Sequence, residues 1–77
     1  MQFTTTELEY TLGALALLER QSKNVQANAN ISRLMRKILF YAWQADPSIL
    51  KKPTINHYAK FCDFNTEIYE SEQSNEQ

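Results

Sequence analysis

The stretch from Ile31 to Asp46, ISRLMRKILFYAWQAD, constrains the fold of this chain more than any other. Placed at 100° per residue, its apolar side chains gather on one arc, which is typical of a helix that packs against a core. The members of that arc are Ile31, Leu34, Met35, Ile38, Tyr41, Ala42 and Ala45. We therefore predict a helix here, with this arc facing the interior of the domain.

The opposite arc of the same helix carries cations and aromatic rings together. Its members are Arg33, Arg36, Lys37, Phe40 and Trp43. Arg36 lies four residues before Phe40, so the spacing permits a cation–π contact along the helix. Trp and Arg are residue types that anchor protein interfaces. One interpretation is a protein-binding surface, and the alternative is that another helix of the chain covers the rings.

The residues before this stretch predict a first helix from about Thr5 to about Gln21. Thr4 is the expected N-cap, and Glu7 completes a capping box. The apolar residues of this helix form two stripes on nearly opposite sides. Leu8, Leu12, Leu15 and Leu18 make the first stripe, and Tyr10, Ala14 and Leu17 make the second. A helix that is apolar on two sides is either central in its domain or shared with another subunit, so the second stripe is a candidate homodimer interface.

Turn signals divide the rest of the chain. Residues 21–24 predict a turn that makes the first two helices an antiparallel hairpin, although a loop over residues 21–30 capped by Asn30 is the alternative. Asp46 and Pro47 predict the end of the second helix and a short helical turn to about Lys51. A third helix is expected from Thr54, with an interruption at residues 63–65 as one alternative.

These elements define the fold class. The chain has 77 residues with a single Gly and two Pro, and it contains no alternating run that would predict a strand. We predict one all-α domain over residues 1–70: a small bundle of three helices, with four short helices as the alternative. Residues 71–77 lack apolar side chains and are acidic, so we predict a disordered tail.

Catalytic groups are sparse. His57 is the only histidine and, on one helix, lies about 140° around from Cys62, which disfavours a nucleophile–base pair. One glycine cannot form a phosphate-binding loop, and the chain offers no persuasive zinc ligand set. We expect no enzymatic activity, no cofactor and no metal.

The compartment is inferred from the thiol and from hydropathy. Cys62 is the only cysteine, so an intrachain disulfide is excluded. No apolar run approaches the roughly 20 residues that a membrane span needs. We expect a cytoplasmic protein that does not insert into membranes.

Charge is distributed unevenly along the chain. Residues 20–60 hold all eight Lys and Arg with one Asp, whereas residues 61–77 hold five acidic groups, and the net charge is −1. The basic middle either meets an acidic partner or is neutralised within the bundle. The cations that nucleic acid would contact are Arg33, Arg36, Lys37, Lys51, Lys52 and Lys60.

The segment from Thr54 to Tyr69, TINHYAKFCDFNTEIY, resembles a helix-turn-helix motif. In that resemblance Asp63 takes the turn position where such motifs usually carry Gly, and Asn65 caps the following helix. The implied recognition helix carries Glu67 and Glu70, whereas DNA affinity comes largely from cations.

Two functional hypotheses follow. The first is a helical adaptor, inhibitor or regulator that binds a larger protein, with a homodimer as one form. The alternative is a small nucleic-acid-binding transcriptional regulator that uses the basic middle segment and a degenerate helix-turn-helix.

Overall fold

The computed structural model describes residues 4–67, and every regular element in that range is helical. In chain order these elements are α1 (Thr5–Gln21), α2 (Val25–Ala45), a short 3-10 helix η1 (Pro47–Lys51) and α3 (Pro53–Phe61). The predicted all-α bundle is confirmed, with three α-helices and one 3-10 helix in the described range. The predicted disordered tail at residues 71–77 lies outside the described residues.

α1 begins where the capping signal predicts. The side-chain oxygen of Thr4 accepts a hydrogen bond from the Glu7 backbone N–H at 3.1 Å, and Oε1 of Glu7 accepts one from the Thr4 N–H at 2.9 Å. Each contact satisfies a backbone donor that has no partner within the helix. The start of α1 is therefore determined by contacts between residues three apart in the chain.

α2 begins just after a three-residue turn. Oδ1 of Asn24 accepts a hydrogen bond from the Ala27 N–H at 3.1 Å and so caps the helix. The alternative of a loop over residues 21–30 is wrong, because the Asn24 cap starts the helix at Val25. The Ser32 hydroxyl donates to Oε1 of Glu19, which joins the start of α2 to the end of α1 in an antiparallel hairpin.

η1 and α3 bring the chain back across the hairpin. Asp46 caps η1, because its Oδ1 accepts hydrogen bonds from the N–H and the hydroxyl of Ser48. Those bonds hold the pKa of the Asp46 carboxyl below its usual range. Pro47 and Pro53 occupy the first positions of η1 and α3, where a missing N–H costs nothing. η1 packs against α2 and α3, and α3 packs against α1.

One core lies between the hairpin and the η1–α3 layer. Its buried members are Leu8, Leu12, Ala16, Met35, Leu39, Ile49, Ile55, Ala59 and Cys62. Gly13 lies where α1 and α3 approach closely, and a Cβ at this position would lie 3.0 Å from the Tyr58 hydroxyl oxygen. This close approach explains why a glycine occurs inside α1.

On α1 and α2 the predicted apolar arcs have the correct helical period, but one edge of each arc is exposed instead of buried. On α2 the buried residues are Met35, Leu39 and Trp43, whereas Leu34, Tyr41 and Ala45 are exposed. η1 packs on α2, and Arg36 contacts the end of α3, so the interior lies further around the helix than the arc predicted.

On α1 the same shift buries Ala16 and leaves Leu18 52% exposed. α3 packs along the Gly13 side of α1, which is the side that Ala16 faces. The first stripe therefore follows Leu8, Leu12 and Ala16 rather than continuing to Leu18.

Candidate interaction surfaces

The aromatic and basic arc of α2 is partly internal. Trp43 is only 9% exposed, and Phe40 is half-buried. The Phe40 ring lies 6.2 Å from the Trp43 ring and 5.9 Å from the Tyr41 ring, measured between centroids. Trp43 therefore belongs to the folded interior, so at this residue the interpretation as a protein-binding surface is wrong and the alternative, that the chain itself covers the ring, is correct.

Arg36 also has a structural contact. Its guanidinium Nη1 donates a hydrogen bond to the Cys62 carbonyl oxygen at 2.9 Å, and this contact joins residues far apart in the chain. The acceptor is one of the carbonyls that a helix end leaves without an intrahelical partner. Arg36 thus holds α2 to the C-terminal end of α3, a role that the sequence pattern did not indicate.

Cys62 itself lies in the core. Its thiol is buried, and this burial raises the pKa of the thiol. The Cys62 Sγ donates a weak hydrogen bond to the Ala59 carbonyl oxygen at 3.8 Å. Cys62 is therefore a small residue of the core.

A different surface of α2 is open, and we call it the α2 strip: Arg33, Leu34, Lys37 and Tyr41. Leu34 is 46% exposed and Tyr41 is 60% exposed. Arg33 and Lys37 are exposed beside them, as their position on the aromatic and basic arc of α2 predicts. Periodicity predicts that Leu34 and Tyr41 face the core, and this prediction is wrong at both residues. No local signal distinguishes them from Met35 and Leu39, which are buried.

The second stripe of α1 is on the outside of the domain. Tyr10 is 75% exposed, Leu17 is 52% exposed, and Ala14 is exposed as well. These three side chains face away from the row of Leu8 and Ala16, which is buried. No element of the described chain covers the candidate dimer interface.

The candidate nucleic-acid contacts are spread over three elements. Arg33 and Lys37 lie on α2, Lys51 and Lys52 at the end of η1, and Lys60 on α3, and all five are exposed. The sixth candidate, Arg36, is half-buried and bonded to the Cys62 carbonyl.

The turn after α3 has the form that the helix-turn-helix resemblance implies. Asp63 has φ 58°, in the left-handed region, and Oδ1 of Asn65 accepts a hydrogen bond from the Glu67 N–H at 2.9 Å. Thr66 and Glu67 are helical, and the continuation of the implied recognition helix lies outside the described residues.

An open groove of about 540 Å³ lies between the end of α1, the start of α2 and the end of α3. Its polar lining includes Glu19, Arg20, Asn28 and Ser32, and Phe61 contributes an aromatic ring to the lining. Asn28 Nδ2 donates to the Ser22 carbonyl at 3.2 Å, while its buried Oδ1 accepts no hydrogen bond from the described chain.

Within residues 4–67, no three His, Cys, Asp or Glu side chains come together as a metal site would need. None of the helices in this range is both long and apolar enough to cross a membrane. Comparison with known proteins found no matching family model, no matching curated protein and no matching solved structure.

Proposed function

We propose that this protein is a small, non-enzymatic helical module that acts by binding a larger protein, as an adaptor, inhibitor or regulator in the cytoplasm. The observation that carries the proposal is the α2 strip, where two large apolar side chains stay exposed beside two cations. The single thiol, buried and unpaired, fits a reducing compartment.

The spacing along α2 suits a helix that lies in a groove of its partner. Leu34, Ile38 and Tyr41 follow the i, i+4, i+7 spacing of the anchors in that binding mode. Ile38 is half-buried and continuous with the core, so the outer two residues are the protruding anchors. Single exposed hydrophobic residues are ordinary, whereas aligned ones on a single helix face mark an interaction site.

The cations define the chemistry of the partner. Arg33 and Lys37 flank the apolar anchors on α2, and both cations are exposed. Electrostatic complementarity steers encounter and selects partners. We therefore expect the partner to present an apolar groove with an acidic rim.

The test is a pull-down with the tagged wild-type chain and with a tagged Leu34→Ala, Tyr41→Ala double variant. The amount of each protein that the two baits retain is quantified and compared. We expect the variant to retain at least tenfold less of a specific partner while keeping its helical circular dichroism, because neither side chain belongs to the buried core. Val25→Ala is the matched control, since Val25 is an exposed apolar residue of the same helix outside the strip. Equal retention by the wild type and the double variant would rule out the α2 strip as the docking surface.

A second candidate function, nucleic-acid binding, is favoured by the left-handed Asp63 and the Asn65 cap, which fit a helix-turn-helix. This alternative predicts binding to duplex or single-stranded probes that weakens steeply as salt rises. Substituting Lys51 and Lys52 by Ala should then reduce the affinity and the salt dependence together. Absence of binding to DNA and RNA at low salt would exclude it.

A further inference from the structure

The second stripe of α1 has the geometry of a helix–helix seam. With Gln21 added, Tyr10, Ala14 and Leu17 follow the alternating four- and three-residue spacing of a coiled-coil core. All four side chains are exposed, on the side of α1 opposite the buried row. This surface is separate from the α2 strip, so one can be occupied independently of the other.

We propose that a second copy of this chain packs on the α1 stripe, with the two α1 helices antiparallel about a two-fold axis between Ala14 and Leu17. Such an interface is self-complementary, because the same patch is used on both subunits. In this register Tyr10 of each copy lies over Gln21 of the other copy, and Ala14 lies over Leu17. The small side chain of Ala14 allows the helix backbones to approach closely near the axis.

The charges at the two ends of α1 favour pairing with a second copy of this chain in the antiparallel orientation. Glu7 lies at the N-terminal end, and Arg20 and Lys23 lie at the C-terminal end, all three exposed. Glu19 also lies near the basic end, half-buried and hydrogen-bonded to Ser32, and the two cations leave that end net positive. An antiparallel pair brings the acidic end of each copy to the basic end of the other, whereas a parallel pair would bring like charges together.

The size of the α1 stripe determines how tightly the two copies are expected to bind each other. One helix face of three turns offers a few hundred Å² of surface per copy, so a pair buries on the order of 800 Å² in total, which is small for a specific interface. We therefore expect a reversible dimer that forms as concentration rises and weakens with salt, because its orientation depends on exposed charges.

The experiment is sedimentation equilibrium of the full chain from micromolar to millimolar concentration, at low and at high salt. The wild type should pass from monomer to dimer, and Leu17→Glu should remain monomeric with unchanged circular dichroism. Tyr10→Lys is the second variant for the same surface. Tyr41→Glu is the matched control, because it places a charge on the α2 strip and should leave the dimer intact.

A spin label on Gln21→Cys tests the direction. In the antiparallel register the two labelled positions are separated by roughly 16 Å along the helix axis, whereas a parallel pair would place them side by side. A monomer at every concentration, a dimer unaffected by Leu17→Glu, or adjacent labels would each overturn the proposal. A monomer would leave the proposed function in place, since the α2 strip does not depend on self-association.

Discussion

At the scale of single residues, Asp63 is the position where the backbone departs most from what its side chain prefers. Its φ of 58° is the only left-handed one among the described residues that are not glycine. The Asp63 N–H donates to the Lys60 carbonyl, and the Phe64 N–H donates to the Ala59 carbonyl at 2.8 Å. These two bonds form a Schellman motif, which places Asp63 at the position that usually holds Gly.

The substitution Asp63→Gly should therefore stabilise the fold. Glycine has no Cβ and adopts the left-handed region without steric cost, so we expect a gain of about 0.5–1 kcal/mol in the free energy of unfolding. Urea denaturation followed by circular dichroism measures it. Asp63→Ala is the matched control and should be less stable than Asp63→Gly, because both remove the carboxylate and only alanine keeps a Cβ. The reverse order of the two variants would contradict the strain argument.

At the scale of elements, the helix boundaries could be predicted because their signals are local. The Thr4–Glu7 capping box and the Asp46–Pro47 pair each act over two or three residues, and the structure confirms both. The predicted turn at residues 21–24 is confirmed as well, with Asn24 as the residue that caps α2. Such contacts need no knowledge of the rest of the fold.

The direction of the buried faces could not be predicted in the same way. α2 carries apolar residues around most of its circumference, so periodicity allows several directions for the core. The choice depends on where η1 and α3 pack, and that information is not contained in α2. The candidate site could be predicted only in part for the same reason. Arg33 and Lys37 are exposed as expected. Trp43 is buried and Arg36 bonds to the Cys62 carbonyl, and both facts depend on how the other elements pack.

The capping box of α1 predicts a pH dependence of stability. The hydrogen bonds from the Thr4 N–H and hydroxyl hold the pKa of the Glu7 carboxyl below its usual range. A carboxyl whose pKa is lower in the folded state stabilises the fold above its unfolded pKa, and this contribution is lost as pH falls through the folded pKa. Glu7→Gln should therefore flatten the acid limb of the stability–pH curve, because an amide can still accept the Thr4 bond without titrating.

Thermal unfolding over the acid range measures that change, with Glu9→Gln as the control that removes one carboxylate from the same helix. Thr4→Ala gives an independent check, since it removes the other half of the capping box and should cost about 1 kcal/mol at neutral pH. An acid limb that stays as steep in Glu7→Gln as in Glu9→Gln would show that the cap does not couple to pH.

At the scale of the whole molecule, the described chain is a hairpin closed by a second layer, and α2 is the element that both halves share. α1 packs on one side of it, η1 packs on another, and Arg36 reaches the end of α3. A domain of this size has a small free energy of unfolding, so the loss of a few contacts can unfold it. The α2 side chains that face the interior therefore determine the stability of the fold. Those on its outer face contribute little to stability and are available to bind a partner.

Trp43 and Tyr41 test this division, because they lie two residues apart on the same helix and differ in burial. Trp43→Ala should cost roughly 3–5 kcal/mol, as expected for removing a large buried side chain, which is a large share of the stability of a small domain. Tyr41→Ala should cost about 1 kcal/mol or less, since its ring is mainly in solvent and loses chiefly the edge contact with Phe40. Thermal melts followed by circular dichroism would separate the two variants. If Trp43→Ala instead melted like Tyr41→Ala, the tryptophan would not support the interior, and the aromatic arc of α2 would have to be considered again as a binding surface.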